Sequence, residues 1–135
     1  MKLIEQSDTD KLFSIAKDSK RKRAHLNLHS DYSEKVQRLL IALLSGSYVE
    51  PHYHELCWQW EMFLVIQGVI QVKTYDFEGN VIKSVLVGDE QQSNLVHLEP
   101  GDIHSVECIS DKALMLEVKE GPFDPGCAKL FPSFI

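Results

Sequence analysis

The chain has 135 residues, of which 44% are hydrophobic and 25% charged, and a formal net charge of −6. That is one domain with enough apolar residues for a packed core, which excludes a disordered chain, and the acidic balance excludes a nucleic-acid binder by composition. No apolar run reaches the roughly 20 residues of a membrane span, and the opening MKLIEQSD carries charges where a signal peptide needs an apolar stretch.

Cys57, Cys108 and Cys127 are an odd, widely spaced set that matches neither a disulfide framework nor a CxxC zinc pattern. A reducing cytoplasm is the expected compartment. Residues 8–20 predict a short helix. Asp8 or Asp10 can cap it, and Leu12, Phe13, Ile15 and Ala16 form a partial apolar stripe. The helix runs into a basic cluster, Lys17, Lys20, Arg21, Lys22 and Arg23. A solvated helix end, favoured by the helix dipole, accounts for that cluster. The sharper reading is a dock for an anion such as phosphate, whose oxygens match the planar fork of arginine.

Residues 23–29 (RAHLNLH) alternate strictly, with Ala24, Leu26 and Leu28 on one face and Arg23, His25, Asn27 and His29 on the other. That is the pattern of a half-buried strand. Four residues separate His25 from His29, too far along a strand for a good ligand pair, so an exposed or pocket-rim polar face accounts for them better. Residues 34–44 (EKVQRLLIALL) read two ways. Val36, Leu39, Leu40, Leu43 and Leu44 fit a helical stripe, and the same residues fit a strand that is apolar on both faces.

From residue 46 onward every signal is β. Short apolar runs fall at 59–66, 69–77, 81–87, 93–99, 104–109 and 113–119, separated by turn residues at 67–68, 78–80, 88–89 and 100–102. Strands this short and regular imply a sandwich or barrel. The tail from Gly121 is rich in proline but carries Phe123, Phe131 and Phe134, which predicts an irregular arm packed on the barrel.

The stretch from Gly46 to Gly68 carries the chemistry. On a strand, residues i and i+2 share a face, so His52 and His54 point at one spot. Glu61 heads the next apolar run. His104 stands three residues after Gly101, which allows a sharp turn just before it. Three imidazoles and a carboxylate suit a borderline divalent ion and leave a position open for water or substrate. Gln59, and less well Glu55, compete with Glu61 for the fourth position. His97 lies outside the set and reads as an ordinary polar residue.

Residues 46–68, with Gly46, His52, His54, Glu61 and Gly68, resemble the first cupin motif, and Gly101-x2-His104 resembles the core of the second. The chain departs from the family in a longer gap between His54 and Glu61, in Pro100 directly before Gly101, and in Cys108 where asparagine is common. Residues 23–29 (RAHLNLH), VQRLL leading into GSYVEPHYH, WEMFLV, and EVKEGPFDP near the end are similar to the WbuC family of cupin-fold metalloproteins, over roughly residues 20–134. That resemblance implies an all-β cupin double-stranded β-helix, a jelly-roll barrel, with a short N-terminal helix and an irregular C-terminal arm. The parts are residues 1–22, the barrel at 23–120 and the arm at 121–135. It makes residues 36–44 a strand and His52, His54, Glu61 and His104 the metal ligands. It also implies a place beside the enzymes of bacterial O-antigen and polysaccharide synthesis, and names no reaction.

Strand phase then puts Gln59, Glu61, Phe63 and Val65 inward, with Trp60, Met62, Leu64 and Ile66 outward. Val106 and Cys108 follow His104 inward, Cys108 as a buried small hydrophobe rather than a fifth ligand. The expected small-molecule pocket has the metal at one end, Phe63, Val65 and Val106 in its floor, and Arg23, His25 and Gln59 about it. The apolar outer face of 60–66 calls for a cover, either the N-terminal helix or a second subunit in a homodimer.

Three functions fit. One is a metal-dependent isomerase or epimerase acting on a sugar or nucleotide-sugar. Another is an iron-dependent oxygenase of a small molecule, and the third is a non-catalytic module that binds sugar or metal. Zinc, iron, manganese and nickel all accept the ligand set.

Overall fold

The computed structural model describes residues 1–54, 58–124 and 129–135. The readings placed on Glu55, Cys57 and Cys127 fall outside them. Helix α1 (Gln6–Asp18) begins two residues earlier than the pattern predicts. The Asp8 carboxylate accepts a hydrogen bond from the Glu5 backbone N–H, so Asp8 works from inside the first turn instead of preceding it.

Nine antiparallel strands follow among the described residues: β1 (Arg23–Asn27), β2 (Val36–Leu44), β3 (Tyr48–His52), β4 (Glu61–Gln67), β5 (Val69–Tyr75), β6 (Val81–Gly88), β7 (Leu95–Leu98), β8 (Ile103–Cys108) and β9 (Lys112–Glu120). They form a five-stranded sheet, β1-β2-β9-β4-β7, facing a four-stranded sheet, β3-β8-β5-β6. No described helix is long and apolar enough to cross a membrane.

The register explains the ambiguity of residues 34–44. Leu39, Ile41 and Leu43 of β2 point between the sheets, where they meet Phe63, Val65, Ile70, Val72, Val106 and Met115. Leu40 and Ala42 point the other way, under α1, against Leu12, Phe13, Ala16, Ala24 and Leu114. A strand buried on both faces reads as a continuous apolar run, and that burial overrides its helix propensity. Full burial of Leu12 and Phe13 is worth about 1.5–3 kcal/mol each, which ties the helix to the sheet.

The helix covers β1, β2 and β9 but leaves the outer face of β4 open, where Leu64 is 39% and Ile66 51% exposed. At the β4–β5 turn, Gly68 has φ +79° and a side chain there would meet the Lys112 carbonyl at 2.2 Å. Only glycine fits that crossing.

Candidate metal centre and its cavity

Register also brings the four ligand candidates together. His52 on β3 lies directly opposite His104 on β8 within the four-stranded sheet, and Glu61 starts β4 in the facing sheet. His54 follows β3, whose end is held by paired backbone hydrogen bonds between Tyr53 and Leu130 of the C-terminal segment, at 3.0 and 2.8 Å. Gly101, at φ +85°, makes the turn that launches β8 with His104 facing inward.

The ligand atoms of His52, His54, Glu61 and His104 all lie within 4.8 Å of one another, and all four residues are buried. Glu61 Oε2 stands 2.8 Å from His54 Nε2 and 3.2 Å from His104 Nε2.

The imidazoles are pre-set. His52 Nδ1 lies 2.8 Å from the Glu50 carbonyl and His104 Nδ1 2.9 Å from the Asp102 carbonyl. A carbonyl only accepts, so each Nδ1 carries the proton, and in the neutral ring Nε2 is left as a lone pair. His104 Nε2 is buried without a hydrogen-bond partner although the Glu61 oxygen is close, because the contact is poorly directed for a hydrogen bond. A lone pair facing a carboxylate oxygen is an arrangement that a cation between them relieves. The donor set therefore fits a divalent metal ion.

Burial, then the His104 charge, pushes His52 down to about 3, so its ring is neutral and available near neutral pH. Burial works against protonation of His104 too, but the Glu61 carboxylate and Asp102 outweigh it and raise its pKa. Burial favours the neutral form of Glu61 as well. Hydrogen bonds from Glu117 and His54, with the charge of the nearby His104 ring, more than offset that and hold it well below the usual carboxylate range. Glu117 on β9 is shifted the other way, well up, by burial and by the charge of Glu61. The pair divides into an ionised Glu61 and a protonated Glu117 that donates to it.

These groups sit at one end of a cavity of about 460 Å³ between the sheets. Phe63, Val106, Arg23 and His25 line it, while Val65 packs in the core between the sheets and is not part of its wall. The polar face of β1 thus turns toward the cavity while Ala24 and Leu26 pack beneath α1. His29 is buried with Nδ1 2.9 Å from both the carbonyl and the N–H of Arg38, a structural role. Burial and the charges of Arg23, Arg21, Lys119 and Lys129 lower His25 to about 4, which keeps it neutral.

Gln59 is buried but is not part of this wall, since its amide donates to the Glu120 carbonyl at 2.7 Å. Cys108 is buried deeper, its thiol directed at the Ser110 carbonyl at 3.4 Å. His97 lies on the surface, 3.4 Å from Glu99.

Glu117, Lys119 and Lys129 escaped the motif reading. The β9–β4 register puts Lys119 opposite Glu61 and Glu117 opposite Phe63, so both face inward. The signal was the alternation in residues 113–119, where Glu117 and Lys119 share the phase of Met115. From the C-terminal arm, Phe123 and Phe131 close the cavity's side, with Phe123 edge-on to Tyr32 at 5.0 Å between ring centres.

Two antiparallel sheets packed face to face, with three histidines and a glutamate converging from both, define a cupin fold carrying a possible metal site. Known structures agree on the fold. The capsular polysaccharide assembling protein CapF from Staphylococcus aureus superposes with a TM-score of 0.66 at 20% identity, over 80% of this chain and 29% of CapF. An oxalate oxidase in complex with glycolate gives 0.63 at 16% identity, over 84% of this chain and 56% of that one. The Cnp3 cupin domain of Schizosaccharomyces pombe gives 0.57 at 11% identity, over 73% and 64%. The chain thus spans less than a third of CapF and little more than half of the oxidase.

By sequence, the chain belongs to the family described as Domain of unknown function (DUF6016), whose model matches residues 4–87. That span holds α1 to most of β6, with His52, His54 and Glu61, while His104 lies beyond it. No curated protein matches the sequence.

Proposed function

We propose that this chain is a metal-binding cupin of the WbuC type, with His52, His54, Glu61 and His104 as ligands, that acts on or binds a sugar or nucleotide-sugar intermediate of bacterial surface polysaccharide (O-antigen) synthesis. The observation that carries the metal reading is the convergence of the four donors with the Nε2 lone pairs of His52 and His104 aimed inward. The polysaccharide reading draws on the sequence resemblance to WbuC proteins and on the fold shared with a capsular polysaccharide assembling protein. A bound divalent ion supplies Lewis-acid polarisation of a carbonyl or hydroxyl oxygen, or an activated water.

The chain's own residues do the rest. Phe63 and Val106 exclude water from the floor, and neutral His25 offers a proton acceptor across the cavity. Protonated Glu117 offers a donor beside Glu61.

The test is metal content and turnover of nucleotide-sugars by the purified protein and by His52→Ala and His104→Ala. Loss of both metal and turnover in the variants supports the reading, whereas variants with full metal content and full biological function sink it. The fold shared with an oxalate oxidase supports a second reading, an iron-dependent oxygenase of a small molecule. Iron in the purified protein, with oxygen uptake on addition of a candidate substrate, would favour it.

The exposed strip of Leu64, Ile66 and Leu95 on the outer face of β4 and β7 supports a homodimer. A single monomeric mass by light scattering would refute the dimer.

A further inference from the structure

We infer that the basic rim of the cavity is an anion subsite that seats the phosphate or diphosphate of the ligand whose other end lies at the four metal donors. The inference deepens the reading of that cavity and rests on it only for where the other end of the ligand lies.

Arg21, Arg23 and Lys129 line both the metal cavity and a second depression of about 610 Å³ that opens from its mouth toward solvent. Lys119 completes the inner side, and Lys20 and Lys22 the outer. Six of the 14 Lys and Arg of an acidic chain are thereby gathered at one opening.

Like charges held together repel, and acidic neighbours usually compensate them. Here the compensation is sparse. Among the described residues, the ion pairs join Arg38 to Glu34, His97 to Glu99, and His54 and His104 to Glu61, and none engages a rim cation. Arg23 gives one N–H to the Tyr48 carbonyl at 3.3 Å, and Lys119 lies over the Phe123 ring at 5.1 Å. Among the described residues, the acids facing the rim are Glu61 and Glu117 inside the cavity and Glu50 at the edge of the outer depression, three carboxylates against six cations. Partial burial first, and then neighbouring cations, lower both Arg23 and Lys129, while Glu117 and Glu61 pull Lys129 the other way.

A group with several acceptor oxygens and at least two negative charges satisfies this rim. Phosphate and diphosphate do so, with two arginine forks for paired oxygens and lysines as point charges. A neutral sugar does not.

The chain's register explains why both ends of one ligand are served. Arg23 and His25 share the inward face of β1, and Glu117 and Lys119 that of β9, where Lys119 stands opposite Glu61, so cations flank the metal donors as well as the opening. A ligand with one end at the metal donors and a phosphate among these cations spans that arrangement.

The test is calorimetric titration of inorganic pyrophosphate, UDP, glucose 1-phosphate and glucose into the full-length protein, as purified and after chelation. Arg23→Gln, Lys129→Gln and, as a surface control, Lys83→Gln are titrated alongside, with circular dichroism to verify folding. The expected result is binding of pyrophosphate and UDP with and without metal, none of glucose, and weakening by about tenfold or more in each rim variant, the loss of one charge-assisted hydrogen bond. Lys83→Gln leaves affinity unchanged.

UDP binding more tightly than glucose 1-phosphate marks the anion as a nucleotide diphosphate, and the reverse marks a glycosyl phosphate; either ranking supports the subsite. Absence of pyrophosphate and UDP binding, or equal affinity in folded Arg23→Gln and Lys129→Gln, overturns it. Metal stoichiometry measured on the same samples separates the two readings. Rim variants that keep their metal but lose pyrophosphate support the subsite, and a protein that takes up no added divalent metal yet binds pyrophosphate through the rim refutes the metal reading alone.

Discussion

Glu61→Gln is the sharpest perturbation of this centre, because it removes one charge and almost no volume. Glu61 is 2% exposed, touches two of the three histidines, and is the one anionic donor in the cluster. Loss of even an outer partner of a metal ligand lowers metal affinity about 10–100-fold, so loss of a direct anionic donor is expected to lower it at least about 100-fold. With metal held at 100 times the wild-type dissociation constant, the wild type gains about 2.7 kcal/mol of stability, and a variant bound 100-fold more weakly gains about 0.4 kcal/mol. For a chain of this length that is a rise in melting temperature of roughly 8–13 °C against roughly 1–2 °C. Thermal unfolding followed by circular dichroism, in chelator and then in zinc, nickel, manganese or ferrous iron, reads the difference directly. A Glu61→Gln protein that folds in chelator and still shows the full metal-induced rise would refute Glu61 as a ligand.

Metal affinity is also expected to depend on pH through His104. Its pKa is raised above the ordinary 6.5, so near neutrality an incoming ion must displace a proton, and affinity climbs by about one decade per pH unit until that pKa is passed. A flat titration from pH 6 to 8 would argue that His104 binds no metal. In the metal-free fold the same group has the opposite effect, since the stability gained from its protonation is complete below 6.5 and is lost as pH rises through the folded value. Gln59→Ala removes the amide that holds the Glu120 carbonyl and should cost about 1 kcal/mol in denaturant unfolding while metal stoichiometry stays the same; loss of metal would make Gln59 the fourth donor. Phe63→Ala, in the floor beneath His104, should cost about 3–5 kcal/mol by the same measurement. A cost below about 1 kcal/mol would mean that the floor collapses to fill the space.

How far the site could be read from the chain depended on how local each signal was. His52 and His54 stand two apart at and just past the end of a strand, and Gly101 turns the chain just ahead of His104, so the inward placement of these three imidazoles was legible from spacing. Gln59 and Glu61 share a phase as well, and no local rule separates them. What does is the end of β9, which passes beside Gln59 and takes its amide at Glu120. The same dependence on distant partners hid β2, whose helical stripe was overruled by burial between α1 and the cavity. Glu117 and Lys119 look like the frayed polar end of a strand until the register with Phe63 and Glu61 turns them inward.

That contrast in locality has a physical consequence for the cavity. The tautomers of His52 and His104 are each set by the carbonyl two residues earlier in the chain, so either imidazole can be prepared for metal with little help from the rest of the fold. The rim is built the opposite way. Arg21 and Arg23 come from the segment after α1, Lys119 from β9 and Lys129 from the C-terminal arm, and nothing local holds any of them to the others. The arm itself is stitched to the backbone of Tyr53, between His52 at the end of β3 and His54 just beyond it. A displacement of that arm therefore removes Lys129 and Phe131 from the mouth while tugging on the segment that carries two of the four donors. Metal binding at the floor and anion binding at the mouth should consequently be separable by side-chain substitution, as in Glu61→Gln against Lys129→Gln. They should remain coupled through the backbone of residues 52–54.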